Sequence, residues 1–199
     1  QNRRLLEMKS FILHLPSIPA SLASATKLKN DLKNFGMEAE LFEGVRGDDA
    51  VVYMEENDIK LHHLGLKGAF NPGGREEAKY GRPGVKGCFL GHKALWQKCI
   101  DLDEPIIIWE DDIILTRPYI PVDWEEVLIV AIGHPSKSPR FMHLLENPTG
   151  EPEAVKYKMA TMPGCCGYAI KPEAAKKLVN IYDKTYLAAD NAIHRRYIK

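Results

Sequence analysis

The stretch Pro105-Ile106-Ile107-Ile108-Trp109-Glu110-Asp111-Asp112 constrains this chain most. A short, unbroken β-branched run with no polar alternation reads as a strand buried on both faces. Three acids at its end would then stand at a carboxyl-terminal sheet edge, where open α/β folds bind ligands. Packed carboxylates repel one another, and a hard divalent cation bridging to phosphate oxygens would relieve them. A solvated acidic turn that ends the strand is the plainer alternative.

The surrounding pattern supports a layered α/β fold. Ser10–Leu15 reads as a first strand. Leu22, Ala25, Leu28, Leu32 and Phe35 follow at helical spacing, with Ser21 as expected cap and Gly36 as stop. Glu38–Glu43 reads as a second strand and Asp48–Glu56 as a short helix. Residues 57–86 hold six of the 15 glycines and the cations Lys67, Arg75, Lys79, Arg82 and Lys86. They read as a long basic loop, which suits either a diphosphate or plain solvent. A helix over Gly87–Leu102 precedes the acidic strand. Val127–Ile132 reads as a buried strand, 133–152 as loop and Gly167–Ile170 as a short strand. Pro172 opens a helix, and Asp190–Tyr197 is expected to form two helical turns.

Composition narrows the function. With 27 basic and 27 acidic residues the chain has no net charge, which argues against a nucleic-acid partner needing many phosphate contacts. The four cysteines form no zinc-type spacing. Adjacent Cys165 and Cys166 read as packing residues, and a reduced, intracellular, cytoplasmic protein is expected. No run reaches the ~20 apolar residues of a membrane span, although peripheral membrane association stays open. At 199 residues, one domain over 1–199 is expected.

Three stretches combine into a resemblance: Gly87-Cys88-Phe89-Leu90-Gly91-His92-Lys93-Ala94-Leu95-Trp96, then Ile108-Trp109-Glu110-Asp111-Asp112-Ile113, then Gly167–Leu178 with Asp190 beyond. Phe11–Leu15 and Phe42-Glu43-Gly44-Val45-Arg46-Gly47 fit the opening of the same pattern. Together they resemble glycosyltransferase family 25, the lipooligosaccharide (lipopolysaccharide biosynthesis) galactosyltransferases and their collagen-modifying relatives. Two departures stand out. Pro19–Ala23 lacks the family's early Arg, and Gly91 replaces the Ser before the family's His. Both bear on donor specificity more than on reaction class.

The resemblance implies a GT-A-like fold, a Rossmann-type mixed, mostly parallel sheet flanked by helices. It implies a manganese- or magnesium-dependent hexosyltransferase that moves a sugar, typically galactose, from a UDP-sugar to a glycan or glycoprotein acceptor, with inversion. Leu15, Pro16, Glu110, Asp111 and His92 would then face the nucleotide sugar. Asp112, Glu110 and His194 would hold the metal, and Asp190, at the cap of the last helix, would take the acceptor's proton. His194 lies four residues beyond Asp190 and shares its helix face. Trp96 reads as core; Tyr168 either stacks on a sugar or fills the sheet. Gly164 and Cys165 would lie near the acceptor. Two rival readings remain: another metal-dependent phosphoryl-transfer or hydrolytic enzyme, and a degenerate family member that only binds nucleotide sugar or glycan.

Overall fold

A computed structural model describes residues 8–63, 80–113, 115, 124–131, 166–194 and 196–198. The expected loop over 133–152, residues 64–79 of the basic segment, and Gly164 and Cys165 lie outside them.

The elements run β1 (Lys9–His14), α1 (Pro19–Asn34), β2 (Glu40–Glu43), α2 (Gly47–Glu56), β3 (Lys60–Leu61) and α3 (Pro83–Leu102). They continue with β4 (Ile106–Glu110), β5 (Val127–Ala131), β6 (Gly167–Ile170), α4 (Pro172–Ile181), β7 (Thr185–Tyr186) and α5 (Ala189–Ala192). The main sheet has the order β2-β1-β4-β6-β5. β1 is parallel to both β2 and β4, whereas β6 runs antiparallel to β4 and β5. Four of the five strands thus share one direction. The expected mixed, mostly parallel α/β architecture is present.

Side-chain alternation along each strand builds two cores. Phe11, Leu13, Ile106, Ile108, Tyr168 and Ile170 pack with α3 and α4 residues such as Leu95, Trp96 and Leu178. Ile12, Ile107, Trp109 and Ala169 pack on the other face with Ala25, Leu28 and Leu32 of α1. Covering β4 on both faces explains why Ile106–Trp109 is apolar without interruption. On this face the Trp109 indole N–H donates to the buried Ser10 Oγ at 2.6 Å, which pairs both groups.

Several boundaries differ from the sequence expectations. α1 starts at Pro19, three residues early, because proline's fixed φ suits the first helical position and Ile18 supplies the extended cap residue before it. Ser21 is therefore inside the helix rather than its cap. Gly36 does close the segment, with a φ of 81°. β2 begins at Glu40 rather than Glu38. α3 starts at Pro83, not Gly87, so the supposed loop ends earlier. Within that loop reading, Lys60–Leu61 forms a small parallel pair with Thr185–Tyr186. β5 is the edge strand, and Val127 and Leu128 are half-buried. The last segment is one helical turn, Ala189–Ala192, with Ala188 at the cap position. Asp190 is thus a first-turn residue and not a cap. No helix among the described residues is long and apolar enough to cross a membrane.

Candidate active site

Parallel strands β1 and β4 end side by side, with Leu13 opposite Glu110. Their carboxyl ends form the floor of a cleft of about 310 Å³, a volume within the range of small-molecule sites. Its lining comprises Leu13, His14, Leu15 and Ser21 on one side and Glu110, Asp111 and Asp112 on the other. Gly44, Val45, Gly47, Gly84, Gly87 and Cys88 complete the wall.

Gly47 is the first residue of α2 and Gly84 the second of α3, so two helix N-termini border the cleft. Each brings the positive end of a helix dipole, but α3 has few N–H groups to offer: Pro83 has none, and those of Val85 and Lys86 bond the Arg82 carbonyl. The approach of the two helices depends on glycine. A Cβ on Gly87 would lie 2.4 Å from the Val45 carbonyl oxygen, and one on Gly47 would lie 2.6 Å from the Pro83 carbonyl carbon. These two packing glycines flank the 57–86 stretch, whereas Gly84 within it meets nothing within 4 Å.

Strand parity separates the acids. Glu110 lies on the α3 side, where its Oε1 is 3.4 Å from His92 Nε2 and 3.7 Å from Cys88 Sγ. Burial disfavours its charged form, but the His92 contact and the thiols of Cys88 and Cys166 outweigh this and hold its pKa below the usual range. Asp111 turns to the α1 side. Ser21 Oγ–H donates to Asp111 Oδ2 and accepts from the Leu15 N–H at 2.8 Å. Asp112 is raised by burial and then by the charges of Glu110 and Asp111. That is the electrostatic signature of crowded carboxylates.

Behind Glu110 sits a buried polar relay. His92 Nδ1 lies 2.8 Å from the Tyr168 hydroxyl oxygen, which also accepts the Trp96 Nε1–H at 2.9 Å. All three residues are fully buried. Trp96 is core, as its sequence context suggested, and Tyr168 fills the sheet rather than facing a ligand. His92 reaches Glu110 from behind and is not itself part of the cleft lining.

The other expected site residues fall differently. Leu15 lines the cleft; Pro16 follows it in the chain but is not in the lining. Asp190 lies close enough for its charge to act on the Cys88 thiol, which burial, Glu110 and Asp190, in that order, push far above the ordinary value. His194 is buried, its Nδ1 accepts the Arg196 N–H at 3.0 Å, and it does not line the cleft.

Sequence reasoning missed Ser21 as a cleft residue, His14, Cys88 and Cys166. His14 is 7% exposed, lines the cleft and has an Nδ1 with no hydrogen-bond partner among the described residues. Its position at the end of β1 was the available signal. Gly91 now has a packing reason: a Cβ there would lie 2.9 Å from Leu13 Cδ1, so Leu13 occupies space that the family's serine would need.

A family model described as glycosyltransferase family 25 (LPS biosynthesis protein) matches residues 21–122. That stretch holds Ser21, α2, α3 and Glu110–Asp112, but neither His14 nor Asp190. A curated protein of Aedes aegypti named "Glycosyltransferase 25 family member" is 33% identical over 91 residues, covering 44% of this chain and 14% of that protein. The chain therefore matches a small part of that relative's length. No solved structure matches it significantly.

Proposed function

Because the chain belongs to glycosyltransferase family 25, we propose that it transfers a hexose, galactose by family resemblance, from a UDP-sugar to a hydroxyl of a glycan or glycoprotein. The observation that supports this best is one cleft bordered by both an acidic strand end and two helix N-termini. A nucleoside diphosphate needs positive potential for its phosphates and oxygen ligands for a bridging cation.

The residues present suit a hard divalent ion. Glu110, Asp111 and Asp112 offer only carboxylate oxygens toward the cleft, and burial followed by the charges of Glu110 and Asp111 raises Asp112. Asp112, with Glu110 or Asp111, would hold Mn²⁺ or Mg²⁺. When bound, the ion supplies Lewis-acid neutralisation of the leaving diphosphate. The chain itself contributes the rest. The N-terminus of α2 stabilises diphosphate charge with preorganised N–H groups, and that of α3 adds its dipole. Ser21 holds Asp111 in place from α1. The buried His14 Nδ1, unpartnered among the described residues, suits a polar group of the nucleotide. Asp190, on the Cys88 side, accepts the proton of the attacking acceptor hydroxyl. Single displacement with inversion then needs no enzyme nucleophile.

The test is a thermal-shift screen of nucleotides and nucleotide sugars with and without Mn²⁺, on wild type and Asp112→Ala, followed by a transfer assay with the stabilising donor. Manganese-dependent stabilisation by UDP or a UDP-sugar, lost in Asp112→Ala and accompanied by sugar transfer, is expected. Stabilisation without transfer would make the protein a binding module. No nucleotide effect would reduce the acidic strand end to a structural turn.

A further inference from the structure

The polar group behind the cleft has a second chemistry. Cys88, His92 and Glu110 bring one ligand atom each to within 4.8 Å of one another. The individual separations are 3.4 Å from His92 Nε2 to Glu110 Oε1 and 3.7 Å from Cys88 Sγ to the same oxygen. Zinc bonds to nitrogen, oxygen and sulfur of about 2.0–2.3 Å place the corners of a tetrahedron about 3.3–3.6 Å apart. Two of the three separations therefore lie near tetrahedral edges, with rotation of the Cys88 side chain left to close the third, between Cys88 and His92.

Two further features fit a cation rather than chance proximity. His92 Nδ1 is 2.8 Å from the Tyr168 oxygen, which Trp96 fixes from behind. With a cation bound, Nδ1–H can donate to that oxygen and free the Nε2 lone pair for the ion, the second contact that metal-binding histidines typically have; without one, Nε2–H donates to Glu110. Cys88 and Glu110 also line the cleft whereas His92 does not. An ion held by all three would thus have protein on one side and an open fourth position on the other.

We propose that Cys88, His92 and Glu110 form a three-ligand site for a soft or borderline divalent cation of the zinc class, with its open position toward the cleft. The mixed sulfur–nitrogen–oxygen set selects against Mg²⁺ and Mn²⁺, which prefer oxygen alone. The site is distinct from the all-carboxylate position at Asp112, though Glu110 belongs to both. A bound soft cation would hold Glu110 on the α3 side, so zinc and a donor-bridging hard ion would compete for one carboxylate. The cluster does not depend on which ligand the cleft accepts.

Cobalt(II) reports the site without any turnover assay. Added to the reduced, metal-free wild-type chain, one equivalent of Co²⁺ is expected to give visible d–d bands of a four-coordinate ion and a near-ultraviolet thiolate-to-cobalt band. One equivalent of Zn²⁺ should erase both. The thiolate band should be lost in Cys88→Ala and retained in Asp112→Asn and Cys166→Ala. Tyr168→Phe should weaken zinc about 10- to 100-fold, as loss of such second contacts does. No thiolate band in wild type, or one that survives Cys88→Ala, overturns the proposal. So does a band that depends on Asp112 or Cys166. If Cys88→Ala does not fold, alkylation of wild-type Cys88 decides instead: protection by Zn²⁺ supports the site, and equal labelling with and without Zn²⁺ overturns it.

Discussion

The Ser21 hydroxyl donates to the Asp111 carboxylate across 90 residues of sequence and also accepts the Leu15 N–H. One side chain on the first turns of α1 thereby ties the end of β1 to the end of β4. Ser21→Ala removes an acceptor for the Leu15 N–H and a donor to a charged group. The expected cost is about 1.5–3 kcal/mol of stability, with weaker UDP binding because Asp111 is no longer held. Urea unfolding and calorimetric titration with UDP measure the two effects. An unchanged midpoint would mean that the contact contributes little.

The glycines of α3 should behave oppositely despite their proximity. Gly87→Ala must push α3 away from Val45, since its Cβ would sit 2.4 Å from the Val45 carbonyl oxygen. A loss of about 1–3 kcal/mol is expected. Gly84→Ala meets nothing within 4 Å and has an ordinary helical position. It should raise stability by about 0.4–1 kcal/mol by restricting the unfolded chain. Thermal unfolding of the pair separates close packing from a general effect of helix propensity.

Asp190→Asn keeps the shape of the first turn of α5 and removes the charge. If Asp190 accepts the acceptor's proton, kcat should fall about 10²- to 10⁴-fold with little change in donor binding. Steady-state kinetics with the stabilising donor, beside calorimetric donor affinity, make the comparison. Near-normal turnover would place the base elsewhere.

His62 should make the fold acid-sensitive. Its imidazole is 6% exposed and packs 5.2 Å from the Tyr182 ring. Burial, and then the charge of His63, lower its pKa from 6.5. The unfolded chain therefore binds a proton more readily than the folded one, and stability falls as pH drops below about 6.5. His62→Phe keeps the ring and removes the proton site, so its stability should depend less on pH between 7 and 5. Parallel slopes for the two proteins in denaturant titrations would contradict this.

Much of the frame was readable before any coordinates because burial leaves strong local marks. An unbroken Ile106–Trp109 run needs two covered faces, and α1 and α3 cover them. The spacing of Ala25, Leu28 and Leu32 points one face of a helix at Ile12 and Ile107. Helix starts were harder. Pro19 and Pro83 displaced the expected starts, because a serine near the first turn can serve another partner and the Pro83-Gly84 pair carries the residue types of a turn although proline suits a first helical position. The two-residue strands β3 and β7 are too short to leave any periodicity.

The sequence by itself determined the mixed α/β class, the strand that carries the three acids and the family pattern spread over three separate stretches. These follow from local rules of burial, periodicity and residue order. Only the tertiary structure decided the partner of each acid. Strand parity sends Glu110 to His92 and Cys88, and Asp111 to Ser21, whereas Asp112 is left facing the cleft. Those pairings join residues 18, 22 and 90 positions apart. No local propensity records such distances; they arise when the sheet brings β1 beside β4 and the packing of α1 and α3 closes over both faces.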